Sequence, residues 1–126
     1  MEAIIVTNNS KVKQKYDAEY DVEFVDGGLL DVLIAVRDKI HEGHKLLTHP
    51  LMGSVKPNET PYKSVLISHD KQDLDLDSLL MISSNVETVQ KFMNIKQPTE
   101  WKDKILEDFM VIDLDLISSG IESMRQ

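Results

Sequence analysis

The chain has 126 residues, 41% of them hydrophobic and 29% charged, with 22 acids against 14 bases, a formal charge of −8 and no cysteine. This length suits one domain over residues 1–126, and the acidic balance argues against nucleic acid or an anionic membrane as partner, because both are met by clustered Lys and Arg. The lack of cysteine excludes a disulfide scaffold, a thiolate nucleophile, a Cys-ligated zinc or iron–sulfur centre and direct dithiol redox chemistry.

The opening MEAIIVTNN carries an acid and only a short apolar run, so it does not read as a secretory leader. No stretch approaches the roughly 20 apolar residues of a spanning helix, and the expected location is the cytoplasm. Ala3 to Thr7 is apolar and β-branched and ends at Asn8-Asn9-Ser10, which predicts a buried strand followed by a polar turn or a helix cap. Val22 and Phe24 alternate with Asp21 and Glu23 before Asp26-Gly27-Gly28, giving a second strand with one wet face. From Leu29 to Glu42 the apolar residues Leu29, Val32, Leu33, Val36 and Ile40 recur at helical spacing, and Gly43 stands where a C-terminal glycine cap belongs.

Lys45 to Thr48 reads as a short strand. Pro50, Gly53, Pro57 and Pro61 then exclude regular structure for about a dozen residues, and Ser64 to Ser68 predicts another buried strand. Leu79, Ile82, Val86, Val89 and Met93 share one face of a helix over 75–95; the rival pattern makes 79–82 a strand, with Ser84 to Glu87 as the capping box of a shorter helix. Pro98-Thr99-Glu100 starts a last helical stretch. Its apolar stripe is interrupted by Asp113, which is read as the cap of a second helix near Leu114. The fold class is therefore α/β: a small sheet covered by helices, one layered domain with C-terminal helices.

His41, His44 and His49 lack the spacing of a metal site, since Gly43 ends the helix between the first two, and His41 suits the negative end of that helix. Ser54 or Ser68 with His69 and Asp70 has triad residue types, but adjacent His and Asp seldom hold triad geometry and there is no nucleophile elbow. Asp73, Asp75 and Asp77 resemble part of a calcium loop but lack its glycine and distal glutamate. No metal and no cofactor is expected.

The segment 53–63 differs in kind. Gly53 permits a turn, Ser54, Asn58 and Thr60 offer hydrogen bonds, Lys56 and Lys63 offer charge, and the prolines stiffen the whole. His44 to Ser68 carries three lysines and one acid, a local +2 flanked by acidic sequence. Such a loop suits a carboxylate or phosphate held at little ordering cost, although the P-loop pattern is absent. A rigid connection whose polar groups satisfy one another is the competing account. Ligands of open α/β sheets collect beyond the carboxyl ends of strands, and Asn8 and Asn9 follow one predicted strand while Thr48 and His49 follow another, which places all four at a shared cleft. The candidate site is thus Asn8, Asn9, His44, Thr48, His49, Ser54, Lys56, Asn58, Thr60 and Lys63.

The segment HEGHKLLTHPLMGSVKPNETPYKSVLIS, residues 41–68, resembles the GrdX family, small proteins encoded beside the glycine, sarcosine and betaine reductase systems of amino-acid-fermenting anaerobes. The resemblance extends from IIVTNN to DFMVIDLDLI. It implies an accessory role in that pathway, with a reductase component as partner, and it supplies no reaction or catalytic residue. The expected function is a non-catalytic accessory protein binding a small anionic metabolite through 53–63. Two alternatives stand beside it: an enzyme for a small phosphorylated or carboxylated substrate with His44 or His49 as acid–base, and a pure interaction module marked by an exposed apolar patch.

Overall fold

A computed structural model describes residues 3–54 and 56–125; Met1 and Glu2 of the expected leaderless start, Val55 of the loop, and Gln126 lie outside them. Three strands, β1 (Ala3–Thr7), β2 (Asp21–Phe24) and β3 (Ser64–Ser68), form one sheet in the order β2-β1-β3. β1 runs parallel to β2 and antiparallel to β3, with Thr7 opposite Phe24 on one side and Ser64 on the other. The carboxyl ends of β1 and β2 and the start of β3 therefore share one edge.

Four helices cover the two faces: α1 (Ser10–Tyr16), α2 (Leu29–His41), α3 (Leu76–Ile95) and α4 (Asp103–Arg125). Val6, Val65 and Ile67 meet α2 and α3 on one face, while Ala3, Ile5 and Leu66 meet Val12 and Tyr16 of α1 and Ile117 and Ile121 of α4 on the other. A sheet buried on both faces needs unbroken apolar strands, which is why β1 and β3 read as runs and not as alternations. The three-layer arrangement is the expected α/β class, a small sheet covered by helices.

Four details depart from the sequence reading. The helix α1 itself is the first: the cap reading of Asn9 holds, its Oδ1 accepting from the Lys11 N–H at 3.0 Å, but the seven residues that follow bury only Val12 and Tyr16, too few to show periodicity. β2 is an edge strand that leaves Phe24 42% exposed, so its alternation does not mark one dry face. Residues 45–48 make a single bridge, Leu46 to Ile67, instead of a strand. The ladder stops because the Leu47 and Thr48 N–H groups both reach Leu66 O, while Thr48 Oγ1 takes the Leu66 N–H in place of a backbone carbonyl. Residues 57–59, expected to be irregular, close one short 3₁₀ turn with Pro57 leading.

The long helix over 75–95 is present and the rival strand at 79–82 is not. Asp75 caps α3 by accepting from the Ser78 N–H at 3.0 Å and the Ser78 hydroxyl at 2.5 Å. α4 is unbroken, and Asp113 lies inside it, buried, instead of capping a second helix. No helix among the described residues is long and apolar enough to cross a membrane.

At the edge opposite the strand carboxyl ends, exposed His69 bridges Asp21 of β2 at 2.9 Å and its neighbour Asp70 at 3.4 Å. The Asp70 and Asp21 carboxylates raise the His69 pKa above the usual imidazole value. A raised folded pKa gives a contribution fully present below the unfolded value near 6.5 and lost as pH rises through the folded one. His69→Gln should therefore lower the melting temperature slightly at pH 5.5 and leave it unchanged at pH 8.5. Equal shifts at both pH values would show that the ion pair is not the source.

Candidate functional site

The edge where β1 and β2 end and β3 begins is organised by polar side chains. Thr7 and Ser64 are register partners on the face covered by α4, and their hydroxyls are 2.6 Å apart. Ser64 Oγ donates to Asp113 Oδ2 at 2.7 Å, so its lone pairs accept from Thr7. Thr7 Oγ1 in turn accepts the Asn9 N–H at 3.0 Å, and Asn9 Nδ2 donates to Asp113 Oδ2 and to Met110 O. All four side chains are buried, and the chain of donors is ordered toward one carboxylate.

Lys63 stands immediately before β3, and its side chain lies on the same α4 side, near Asp113. It is 3% exposed, and its Nζ donates to Met52 O at 2.7 Å. Burial lowers its pKa to about 8, an effect that the negative charge of Asp113 partly offsets.

Asn8 is the brace of this edge. Its Nδ2 donates to Gly27 O and to Pro61 O, each at 2.9 Å, and its Oδ1 accepts the Lys63 N–H at 2.9 Å. One amide thus ties the end of β1 to the turn before α2 and to the loop before β3. Between those two tied segments lies a cleft of about 290 Å³. Gly27, Gly28 and Leu29 form one wall and residues 57–62 another, with Met93, Thr99 and Trp101 completing it.

The walls are held by their own bonds. Trp101 Nε1 donates to Glu59 O at 3.1 Å, the Thr99 N–H to Asn58 O at 3.2 Å, and Asn58 Nδ2 to Lys96 O at 3.3 Å. Thr99 Oγ1 is buried with no hydrogen-bond partner among the described residues. The one carboxylate lining the cleft, Glu59, lies 3.6 Å from Lys96 Nζ, and Asp31 Oδ2 accepts the Gly28 N–H at the start of α2. Burial and the charges of Glu107 and Asp103 raise the Tyr62 pKa, so its phenol stays protonated and can donate.

The ten residues picked from sequence do not share one place. Asn58 and Thr60 line this cleft and Asn8 sets its width. Ser54, Thr60 and Lys63 line a small cavity of about 60 Å³ on the α4 side, and Asn9 belongs to the polar chain beside it. Thr48 and His49 line a second cleft of about 290 Å³ with Lys45, Asp75, Asp77 and Met81, which neither Asn8 nor Asn9 reaches. His49 Nδ1 accepts the Leu51 N–H at 3.1 Å, so in the neutral ring the proton sits on Nε2. His44 is buried at the opposite edge, its Nδ1 donating to Ser68 O at 2.8 Å. Lys56 is exposed, and its carbonyl closes the 3₁₀ turn by accepting from Glu59 N and Thr60 Oγ1.

Sequence reasoning missed Asp113, Tyr62, Thr99 and Trp101. For Asp113 a signal existed: it stands four and eight residues before Ile117 and Ile121, on the buried stripe, where a carboxylate needs buried donors opposite it. For the other three no local pattern marks a cleft built from four separate segments. Among the described residues no three His, Asp or Glu side chains gather as a metal group.

No curated protein and no solved structure matches the chain. The family model described as GrdX-like protein does match, over residues 4–122, so both walls of the cleft, the polar chain and nearly all of α4 fall within it, and the chain belongs to the GrdX-like family.

Proposed function

We propose that the protein is a non-catalytic accessory component of the glycine, sarcosine and betaine reductase system, acting in the cytoplasm by holding a small metabolite in the cleft braced by Asn8 and presenting that state to a reductase component. Family membership supports the link to the system. The observation that carries the binding reading is the lining of the cleft: amide, hydroxyl and aromatic groups with one carboxylate already near Lys96. Neither Lys56 nor Lys63 lines it. The ligand is accordingly a small neutral or zwitterionic molecule, and the anion first expected of the 53–63 loop has no ammonium to meet there.

Trp101 is the sole tryptophan and lines the cleft, so its fluorescence reports occupancy without a label. Titration with glycine, sarcosine, betaine, acetyl phosphate and phosphate is expected to give a saturable change with at least one of the amino compounds. Asn58→Ala should weaken it about tenfold, or about 1.4 kcal/mol, and Lys56→Ala should leave it unchanged. A response to phosphate that Lys56→Ala abolishes would replace the cleft by the cationic loop as the site. Flat titrations throughout, together with no capture of purified reductase components, would overturn the proposal.

A further inference from the structure

The small cavity on the α4 side is chemically unlike the cleft. Ser54, Thr60, Tyr62, Lys63 and Asp113 supply its polar groups, and Phe109, Ile112 and Leu116 supply an apolar wall. Gly53 and Ile112, which also line it, are exposed, so it opens to solvent. Ser54 Oγ is buried and has no hydrogen-bond partner among the described residues. A primary amine, a counter-charge, a free hydroxyl and room for a few heavy atoms are thus gathered in one place.

We propose that Lys63 is a covalent attachment site for a short-chain aldehyde, which enters this cavity and forms an imine with the Lys63 amine. The lone pair of neutral Nζ attacks the carbonyl carbon, the carbonyl oxygen takes a proton, and the nitrogen releases one to give a carbinolamine. Loss of the hydroxyl as water leaves the imine, so amine and aldehyde give imine and water with no oxidant or reductant. Ser54 Oγ is the hydrogen-bond partner for the carbinolamine oxygen, and Met52 O remains an acceptor for the nitrogen.

Asp113 decides the class of ligand. A protonated imine keeps the positive charge that Asp113 already faces, whereas a carbamate or the imine of an oxo acid would bring a second negative charge beside it. The apolar wall fits an alkyl chain. The amine is also prepared for attack: with its pKa at about 8, about one in ten is neutral at pH 7, against about one in 2,500 for an ordinary lysine.

The test is reductive trapping of the intact protein at pH 7 with limiting formaldehyde or acetaldehyde and cyanoborohydride, read by peptide mass spectrometry. Lys63 is expected to be modified at least about tenfold faster than exposed Lys56. Benzaldehyde, too large for the cavity, should not modify it, and Ile112→Trp, which narrows the opening, should slow the reaction of Lys63 alone. Modification of Lys63 only after denaturation, or at the same rate as Lys56, would reduce the residue to a structural amine and overturn the proposal. Because the cleft of Trp101 is a separate cavity, failure here would leave the fluorescence titrations untouched.

Discussion

Asp113→Ala is expected to lower folding stability by about 3–5 kcal/mol, since each buried donor left without its acceptor costs about 1–3 kcal/mol and a buried ammonium loses a favourable charge as well. The loss strands three groups at once: the Ser64 hydroxyl, one Asn9 amide hydrogen and the Lys63 ammonium, whose charge only Asp113 is seen to favour. Chemical denaturation at pH 7 measures it. Asp113→Asn keeps an acceptor and removes the charge, so its cost should be smaller, and adding Lys63→Met to Asp113→Ala should recover part of the loss, the two being coupled. The pH dependence has a definite sign. The folded Lys63 pKa, about 8, lies below the unfolded value near 10.4, so the cost of burying the ammonium is complete below about pH 8 and relieved as pH rises toward 10.4. Removing Asp113 lowers the folded pKa further while the unfolded value is common to both proteins, so the Lys63 part of the Asp113→Ala deficit should be full in acid, shrink as pH rises toward 8 and be nearly gone about one unit above it. A deficit independent of pH and of Lys63 would mean that the helix loses packing there and not a charge partner.

Gly43→Ala is the second large effect, expected at about 3 kcal/mol. Gly43 has φ +112, outside the range that side chains accept, and a Cβ there would overlap the carbonyl oxygen of Gln72, a backbone atom that cannot swing away. The Gly43 carbonyl also accepts the Gln72 N–H, so a shift of either strand of chain breaks that bond. Gly53 is the control. Its φ of +75 is left-handed too, yet a Cβ there would meet Leu116 Cδ1 at 2.8 Å, the end of a flexible side chain. Gly53→Ala should cost only about 1–2 kcal/mol, and equal costs at the two positions in urea titrations would contradict this account.

The parts of the fold legible in the sequence are those where one physical rule dominates. β1 and β3 are apolar runs because both faces of the sheet are covered, and α2 shows its stripe because thirteen residues give the period room to repeat. α1 escaped because seven residues with two buried positions show no period. Asp113 was misread because a polar residue in an apolar stripe fits a cap as well as a buried acceptor, and only the position of Ser64 and Asn9, 49 and 104 residues away, decides between them. The site was partly legible for the same reason. Asn8, Asn58 and Thr60 could be found from local turn chemistry, while Trp101 and Thr99 reach the cleft only through a fold that returns the chain after α3.

The order in which the chain is made gives the polar edge a further consequence. β1 is central, so its ladder with β3 is complete once residue 68 has emerged from the ribosome, yet the acceptor that Thr7, Asn9, Ser64 and Lys63 converge on arrives with α4. Until then a nascent chain holds all three strand segments, but the donors and the cation of that edge have no anion to receive them. Burial of that edge requires α4 to dock, so synthesis of α4 is what commits the first strand to its native surroundings.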